Sequence, residues 1–599
     1  MKVSDYIVSF LERNGVVNVF SLTGGGCMHL TDSFGRSKQF KIVYMQHEQA
    51  AAMAAEACSK FTNKPSAVLV TSGPGATNTI TGLLGAFQDS IPCIFISGQA
   101  KLKQTVMNSG IAGLRQFGVQ EANIIPIVES ITKYAEMITD KNNIKYHLEK
   151  AVFHAVSGRP GPVWLDVPLD IQSANINEND LQGFNPQEEL KSIKTEANNE
   201  EISYAVKSLA EAKRPVIIAG SGIKLSGARE ELLKLINKAG IPVVTPVLGI
   251  DNLATDDEHY AGRIGTKGTR AGNFAMQNAD LLISIGSRLS VSVTGHEFEL
   301  FAREAKRIVV DIDPIEHSKN TIRIDKLIIA DAKDFLKKLY AAIPSDISFA
   351  GWLNTCREWK EKYPVCLSEY KKEKNGINYY AFVDELTKRL KPDTTVISDA
   401  GSSFYVVSQS INVKRGQRYI TSGAIATMGF GVPAAIGVSA GSGGPVAAIT
   451  GDGSFQQNVQ ELSVIKKHNM PVKVFVMNNN GYFSIRQTQQ KFFGGRSFGE
   501  SAASGLWFPD TEKIAAAFEL NYFRFDNTEA FVKGIEAVLA DPAPALVEII
   551  LSENFEVIPT VSSVIKPDGT MVSKPLEDMY PFLSREEFLK NMIVKPVDE

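Results

Sequence analysis

The sequence lacks the marks of several large classes of protein. Its five cysteines (Cys27, Cys58, Cys93, Cys356 and Cys366) are odd in number and form no CxxC pair, so neither a disulfide framework nor a zinc ribbon is encoded. No run of 18 apolar residues occurs, so no membrane span is predicted. The 63 basic and 66 acidic residues are interspersed and nearly cancel, to a net charge of -3, which removes the field a nucleic-acid or anionic-membrane partner would need. The opening MKVSDYIVSFLERNG alternates charged and apolar residues at helical spacing and has neither the apolar core nor the small-residue cleavage site of a signal peptide. Together these absences predict a reduced, cytoplasmic chain with no nucleic acid and no membrane among its partners. A length of 599 residues predicts three or four domains and a core that folds without a metal staple, so a metal would be there for chemistry.

What is present is a rhythm. Short runs rich in Val, Ile and Leu are followed by Gly-rich turns and helical patterns, which predicts α/β layers of doubly wound parallel sheet. Strands are expected at 66–71, 92–97 and 162–167, then at 214–219, 241–246, 280–285 and 307–311, and finally at 395–398, 446–450, 472–477 and 545–550. The expected divisions are an α/β domain over 1–172, a polar linker over 173–200, a second α/β domain over 201–345, a charged helical connector over 346–376, a third α/β domain over 377–551, and a tail over 552–599. Apolar anchors in the tail, among them Met579, Phe582 and Leu589, predict that it packs on the body.

In the third unit, Asp452 lies in the turn Gly451-Asp452-Gly453-Ser454 at the end of one strand, and a later strand runs into Asn478-Asn479-Asn480-Gly481. In a parallel sheet both turns emerge at the carboxyl edge, where such sheets bind ligands. A carboxylate, an amide and a backbone carbonyl are hard oxygen donors suited to Mg²⁺ holding a diphosphate, and a helix starting at Ser454 would offer free N–H groups to the same phosphates. A lone GDG is a common turn; GDG, 24 residues and then NN, each preceded by a strand, is far more specific. On these motifs the chain resembles the thiamine diphosphate enzymes. The resemblance assigns Asp452, Asn479 and the carbonyl of Gly481 to Mg²⁺. It assigns Gly401, Ser402, Ser403, Gly451, Gly453, Ser454 and Tyr482 to the thiamine diphosphate, with Gly24 and Gly25 as further contacts.

Glu48, in YMQHEQAAAMAAEA, would by itself read as a helix N-terminal carboxylate favoured by the macrodipole. Within the resemblance it becomes the glutamate that hydrogen-bonds the aminopyrimidine ring and promotes proton removal at C2, a role that needs a desolvated site. The string TSGPGATN, with Thr71, Gly75 and Asn78, has no P-loop lysine and matches the stretch near the aminopyrimidine. The family's sites lie between the first unit of one subunit and the third unit of another, which implies a homodimer or homotetramer.

The strings QHEQAAAMAAE, TSGPGATN, SGRPGPVWLDVP, VQEANIIPIVESITK and TMGFGVPAAIG narrow the resemblance to the acetohydroxyacid (acetolactate) synthases. It gives Met428 the part of propping thiamine in its bent form, and sets Gln99 and Gln120 toward the reacting carbon. It also implies FAD in the middle unit, with Gly220, Gly222, Lys267, Arg288 and Asp331, together with Arg159 in GRPGP, as contacts. Two departures bear on this. Ser292 stands where the synthases carry an arginine before VTG, removing one flavin contact, and Thr488 stands where they carry a tryptophan that narrows the acceptor pocket. The expected activity is decarboxylation of a 2-keto acid, by default pyruvate, with transfer of the acyl unit to a second carbonyl compound. The alternatives are transfer of two carbons to a nucleotide-linked keto sugar in surface polysaccharide synthesis, and simple decarboxylation. The tail string IKPDGTMVSKPLEDMYPFL is expected to serve as a lid.

Overall fold

The computed structural model describes residues 1–191, 193–553, 555–565 and 571–597. Three parallel six-stranded sheets organise them, each flanked by helices. The first sheet holds β1 (Asn18–Ser21), β2 (Lys41–Tyr44), β3 (Ser66–Val70), β4 (Cys93–Gln99), β5 (Tyr134–Met137) and β6 (Val163–Pro168), in the order 2-1-3-4-6-5. The second holds β7 (Pro215–Ala219), β8 (Val243–Thr245), β9 (Tyr260–Arg263), β10 (Leu281–Ile285), β11 (Lys306–Asp311) and β12 (Lys326–Ile329), in the order 12-11-10-7-8-9. The third holds β13 (Thr395–Ser398), β14 (Tyr419–Thr421), β15 (Val446–Gly451), β16 (Val472–Asn478), β17 (Asn521–Phe525) and β18 (Ala545–Ile550), in the order 14-13-15-16-18-17. The fold is therefore the doubly wound α/β class that the apolar runs predict. All the expected strands are present; those not foreseen are β1 and the six strands at the sheet edges.

Helix α1 (Glu48–Thr62) joins the first and third units. From Glu48 to Lys60 every residue except Gln49 is buried, because the helix has a core neighbour on nearly every side. Part of its cover is the third unit's helix Gly431–Ser442, whose small residues allow close approach: a Cβ on Gly437 would stand 2.0 Å from the carbonyl oxygen of Ala54. One apolar core runs continuously through this contact from the first unit to the third. Two ionic knots flank it. Lys60 is buried and donates to Glu56, to Asp89 at 2.7 Å and to the carbonyl of Thr421 at 2.9 Å. Asp251 of the middle unit pairs with Lys224 and, at 2.8 Å, with Arg418 of the third unit, whose guanidinium also donates to the carbonyls of Lys60 and Phe61 in the first. Burial alone would raise the Asp251 carboxyl, but the two cations hold it down at about 2.

The tail packs on the body. Its hairpin, β19 (Ser563–Ile565) and β20 (Met571–Ser573), is followed by a segment stitched to the middle-unit helix α2 (Arg270–Gln277). Arg270 donates to the carbonyls of Met579 and Pro581, Asn273 to that of Leu576, and Gln277 to Glu577. Residues 566–570 of the string expected to form a lid lie outside the described residues. No helix among the described residues is long and apolar enough to cross a membrane.

The α1 contact yields a direct test. Gly437→Ala should lower the melting temperature, since a methyl group forced against backbone costs about 1–3 kcal/mol. Gly35→Ala, in a helix where a Cβ meets nothing within 4 Å, should not lower it.

Candidate active site

Asp452 leaves β15 at the carboxyl edge of the third sheet and begins the short helix Asp452–Gln456. Its carboxylate is buried and has no cationic partner within ion-pair distance among the described residues; three backbone N–H groups hold it instead. Oδ2 accepts from Asn479 at 3.2 Å and Gly481 at 3.0 Å, and Oδ1 accepts from Gly453 at 2.8 Å. Burial pushes the carboxyl up to about 6 despite those bonds. Beside it Asn479 Oδ1 is buried with no hydrogen-bond partner. An orphaned acceptor of this kind costs about 1–3 kcal/mol unless something else satisfies it, and with a carboxylate alongside the fitting partner is a hard divalent cation.

The surrounding residues fix that turn. A Cβ on Gly453 would lie 2.1 Å from the Tyr482 ring, and Gly481, at φ +137°, would collide with the Glu500 carbonyl at 1.9 Å. Arg486, in the helix Phe483–Phe492, pairs with buried Glu500 at 2.6 Å and donates to the carbonyls of Asn479 and Asn480. Gly401, at φ +60°, opens the helix Gly401–Ser410 on the neighbouring strand, β13. Ser402 lies 3.2 Å from Ser484, and Ser403 accepts from Tyr379 at 2.7 Å. Ser454 is buried in the first turn after Asp452, and Met428 lies beside Gln457. Sequence reasoning missed Asp399, although it stands in the same ISDAGSS string: it accepts from Gly431, Ala400 and Thr450, tying the turn after β13 to β15.

The first unit builds a second cluster. Glu48 is buried at the start of α1, and its Oε2 accepts from Asn78 at 3.0 Å. Gly75 leaves space beside it, since a Cβ there would meet Thr71 at 2.6 Å and Glu48 at 3.4 Å. Thr71 in turn accepts from the N–H of Gly26 and packs on Gly24, while Gly25 faces open space. Gln120 is exposed, with φ +56°, and its carbonyl abuts Gly73. Gln99 is anchored within the first unit. Its amide donates to Asp166 at 2.9 Å and to the Ala122 carbonyl and accepts from Ala100, so its polar atoms are engaged inside the first unit. No hydrogen bond recorded among the described residues links the Glu48 cluster to the Asp452 cluster within the chain.

In the middle unit a cavity of about 160 Å³ is lined by Ser221, Gly222, Gly286, Arg288, Asp331 and Arg159, among others. Another, of about 410 Å³, is lined by Ser221, Lys267, Arg288, Ser292, Tyr405 and Ala424 among others. Both share Ser221 and Arg288. Neither Lys267 nor Arg288 has a carboxylate within ion-pair distance among the described residues, and burial pulls the Lys267 ammonium down to about 8. Gly220 and Gly222 allow backbone to approach backbone, since a Cβ on either would strike Gly286. Asp331 caps the helix Ala332–Ala342, and Arg159 pairs with Asp313 at 3.0 Å and Glu316 at 2.6 Å.

Comparison with known proteins decides the family. Three thiamine pyrophosphate enzyme models match: the N-terminal TPP binding domain over residues 1–123, the central domain over 202–339, and the C-terminal TPP binding domain over 399–549. The chain belongs to the thiamine pyrophosphate enzyme family. It is 32% identical to the chloroplastic acetolactate synthase of Arabidopsis thaliana, over 94% of this chain and 83% of that one. It is 32% identical to chloroplastic acetolactate synthase 2 of Zea mays, over 94% and 87%, and 31% identical to the acetolactate synthase large subunit of Cyanidium caldarium, over 93% and 94%. In a thiamine pyrophosphate enzyme the two clusters fall within the two matched cofactor-binding domains: Glu48 and Asn78 in the N-terminal one, Asp452 and Asn479 in the C-terminal one.

Replacing Asn479 with Ala removes the orphaned oxygen. Titration calorimetry should then show thiamine diphosphate binding, in the presence of a divalent cation, weakened by about tenfold or more. Unchanged affinity would take Asn479 out of the ligand set.

Proposed function

We propose that this thiamine pyrophosphate enzyme is a carboligase. It takes a 2-keto acid, pyruvate by default, and joins the acyl unit to a second carbonyl compound. The bond to the carboxylate breaks and CO₂ leaves; a new carbon–carbon bond forms at the acceptor carbonyl, whose oxygen takes up a proton. The observation that carries the reading is the unsatisfied Asn479 oxygen beside the Asp452 carboxylate, in a chain that also buries Glu48 against a glycine-floored turn. The likeness to acetolactate synthases over nearly the whole chain supports the same chemistry.

Bound thiamine diphosphate supplies the electron sink for decarboxylation. The chain's own residues do the rest. Asp452, Asn479 and the Gly481 carbonyl hold Mg²⁺, and the turn at Gly401, Ser402 and Ser403 offers donors to the diphosphate. Glu48, kept dry by α1 and oriented by Asn78, holds the proton exchanged with the aminopyrimidine. Met428 supports the ring from the third unit. The absence of a hydrogen bond between the two clusters among the described residues of one chain fits a site completed by a second copy, in a homodimer or homotetramer.

FAD is the proposed occupant of the two middle-unit cavities. Lys267 and Arg288, both unpaired with carboxylates, suit its diphosphate, and Asp331 lines the end away from Lys267. Arg159 lines the same cavity but is shared with Asp313 and Glu316. A second reading, with a bulkier polar acceptor such as a nucleotide-linked keto sugar, is favoured by one observation. Thr488 is exposed on the helix Phe483–Phe492, and Phe492, Phe493, Phe498 and Trp507 near it are exposed as well.

Incubation of the purified protein with pyruvate and a panel of acceptors, followed by mass detection, tests the reaction. An adduct carrying two added carbons is expected from the wild type and its loss from Glu48→Gln; acetaldehyde alone would overturn the carboligase reading. FAD binding, followed by quenching of flavin fluorescence, should weaken as pH rises through about 8, where Lys267 loses its proton. Lys267→Met should weaken it by about ten- to a hundredfold at pH 7.

A further inference from the structure

Glu461 belongs to the third unit, in the single turn Val459–Glu461 that follows the Asp452 helix, yet it serves the first unit. Its side chain is fully buried, and both carboxylate oxygens accept from the backbone N–H of Gln46, at 3.2 and 3.1 Å. Gln46 lies two residues before Glu48, where α1 has not yet begun and its N–H groups lack helical partners. The backbone of His47 and the neighbouring Gln460 amide, at 3.4 Å, also contact it. No lysine, arginine or histidine pairs with Glu461 among the described residues, and burial pushes its carboxyl up to about 7.

The opposite direction of the same contact supplies a comparison. Asp89 of the first unit accepts from the N–H groups of Gly423 and Ala424, at 2.8 and 2.9 Å, where the third unit's chain runs toward Met428. Each unit thus grips, with a buried carboxylate, the backbone of the other's cofactor-facing segment. Asp89 is neutralised by Lys60; Glu461 is not. A neutral acceptor would satisfy the Gln46 N–H at lower desolvation cost. What a carboxylate adds is a stronger, charge-assisted hydrogen bond, drawn also toward the positive end of α1.

We propose that Glu461 is a positioning residue for Glu48, holding the start of α1 from across the domain contact so that the Glu48 carboxyl meets the cofactor in register. The proposal rests on the reading of Glu48 as the cofactor-facing acid. A misplacement near 1 Å at such a group costs about a hundredfold in rate.

The test is hydrogen–deuterium exchange at C2 of bound thiamine diphosphate, measured by NMR on the full-length holoenzyme at pH 8, alongside cofactor affinity and melting temperature. Glu461→Ala should slow exchange by about a hundredfold while affinity changes by less than about threefold. Glu461→Gln, which keeps an acceptor but not the charge, should recover most of the loss and remain about three- to tenfold slow. Wild-type exchange in Glu461→Ala, or a parallel fall in exchange, affinity and melting temperature, overturns the proposal. If Glu461→Ala does not fold, Glu461→Gln decides, and wild-type exchange in that variant overturns it equally. Glu48→Gln, run beside them, separates the two ideas: normal exchange there defeats the reading of Glu48, whereas lost exchange there with normal exchange in Glu461→Ala defeats only the role of Glu461.

Discussion

The close approach of α1 to the helix Gly431–Ser442 is the constraint on which the rest of the molecule depends. Backbone meets backbone at Ala54 and Gly437, so the separation of the two units is fixed by peptide atoms rather than by side chains that could repack. That tightness has consequences at both ends of α1. Near its C-terminus Lys60 is carried into the third unit, where it reaches the Thr421 carbonyl; at its start the third unit comes near enough for Glu461 to bond the N–H of Gln46. The segments bearing Glu48 and Met428 are thereby held relative to each other before any cofactor arrives.

A nearly neutral chain that handles anionic cofactors must create its attraction locally. Among its buried and half-buried charges two kinds stand in contrast. Asp251, Asp89 and Arg159 have full sets of opposite charges, and each ties one unit to another. Asp452, Lys267 and Arg288 have none among the described residues: Asp452 lies next to the turn that carries the unpartnered Asn479 oxygen, and Lys267 and Arg288 line a cavity, the places where the proposed cation and phosphates would complete them. Removing one partner from a buried pair costs about 3–5 kcal/mol, so groups left unpaired by design mark ligand positions more reliably than charged groups as such. Glu461, like Asp399, is buried without an opposite charge and is engaged with backbone N–H groups instead.

The parts of the fold legible in the sequence are those buried on both faces. SAVLV and PVIIA are buried at every position, and VKVFVMN at all but its last, because helices cover both sides of a central parallel strand. The edge strands β2, β5, β9, β12, β14 and β17 were not legible. β2, KIVY, and β17, NYFRF, each have a single buried position among exposed and half-buried ones, so neither shows the apolar run of a covered strand. The GDG and NN turns could be read because their spacing reflects one strand–helix–strand unit. The clamps at Glu461 and Asp89 could not, since their partners lie 415 and more than 300 residues away and are backbone groups that any sequence would supply. The bond between the Gln99 amide and Asp166 is of the same kind, since the two residues are 67 apart in the chain and are brought together only by the sheet.

This division explains why the family is plain and the acceptor is not. The cofactor elements are set by interior contacts that tolerate little: Tyr482 on Gly453, Glu500 against Gly481, Thr71 on Gly24 and Gly75. A side chain added at any of these glycines would strike a packed neighbour, a side chain at Gly24, Gly75 and Gly453 and a backbone carbonyl at Gly481. The segment proposed to face the acceptor has the opposite character. The helix Phe483–Phe492 is anchored at its foot, where Phe483 stacks on Phe555 of the tail at 4.1 Å and Gln487 bonds the Phe555 carbonyl, while Thr488 and the aromatics beyond it are exposed. Substitution there meets solvent rather than backbone, so under the proposed function residue identity at Thr488 is free to follow the substrate. Specificity in this chain should therefore be sought along that helix and the tail segment beneath it, and the shared chemistry in the buried turns.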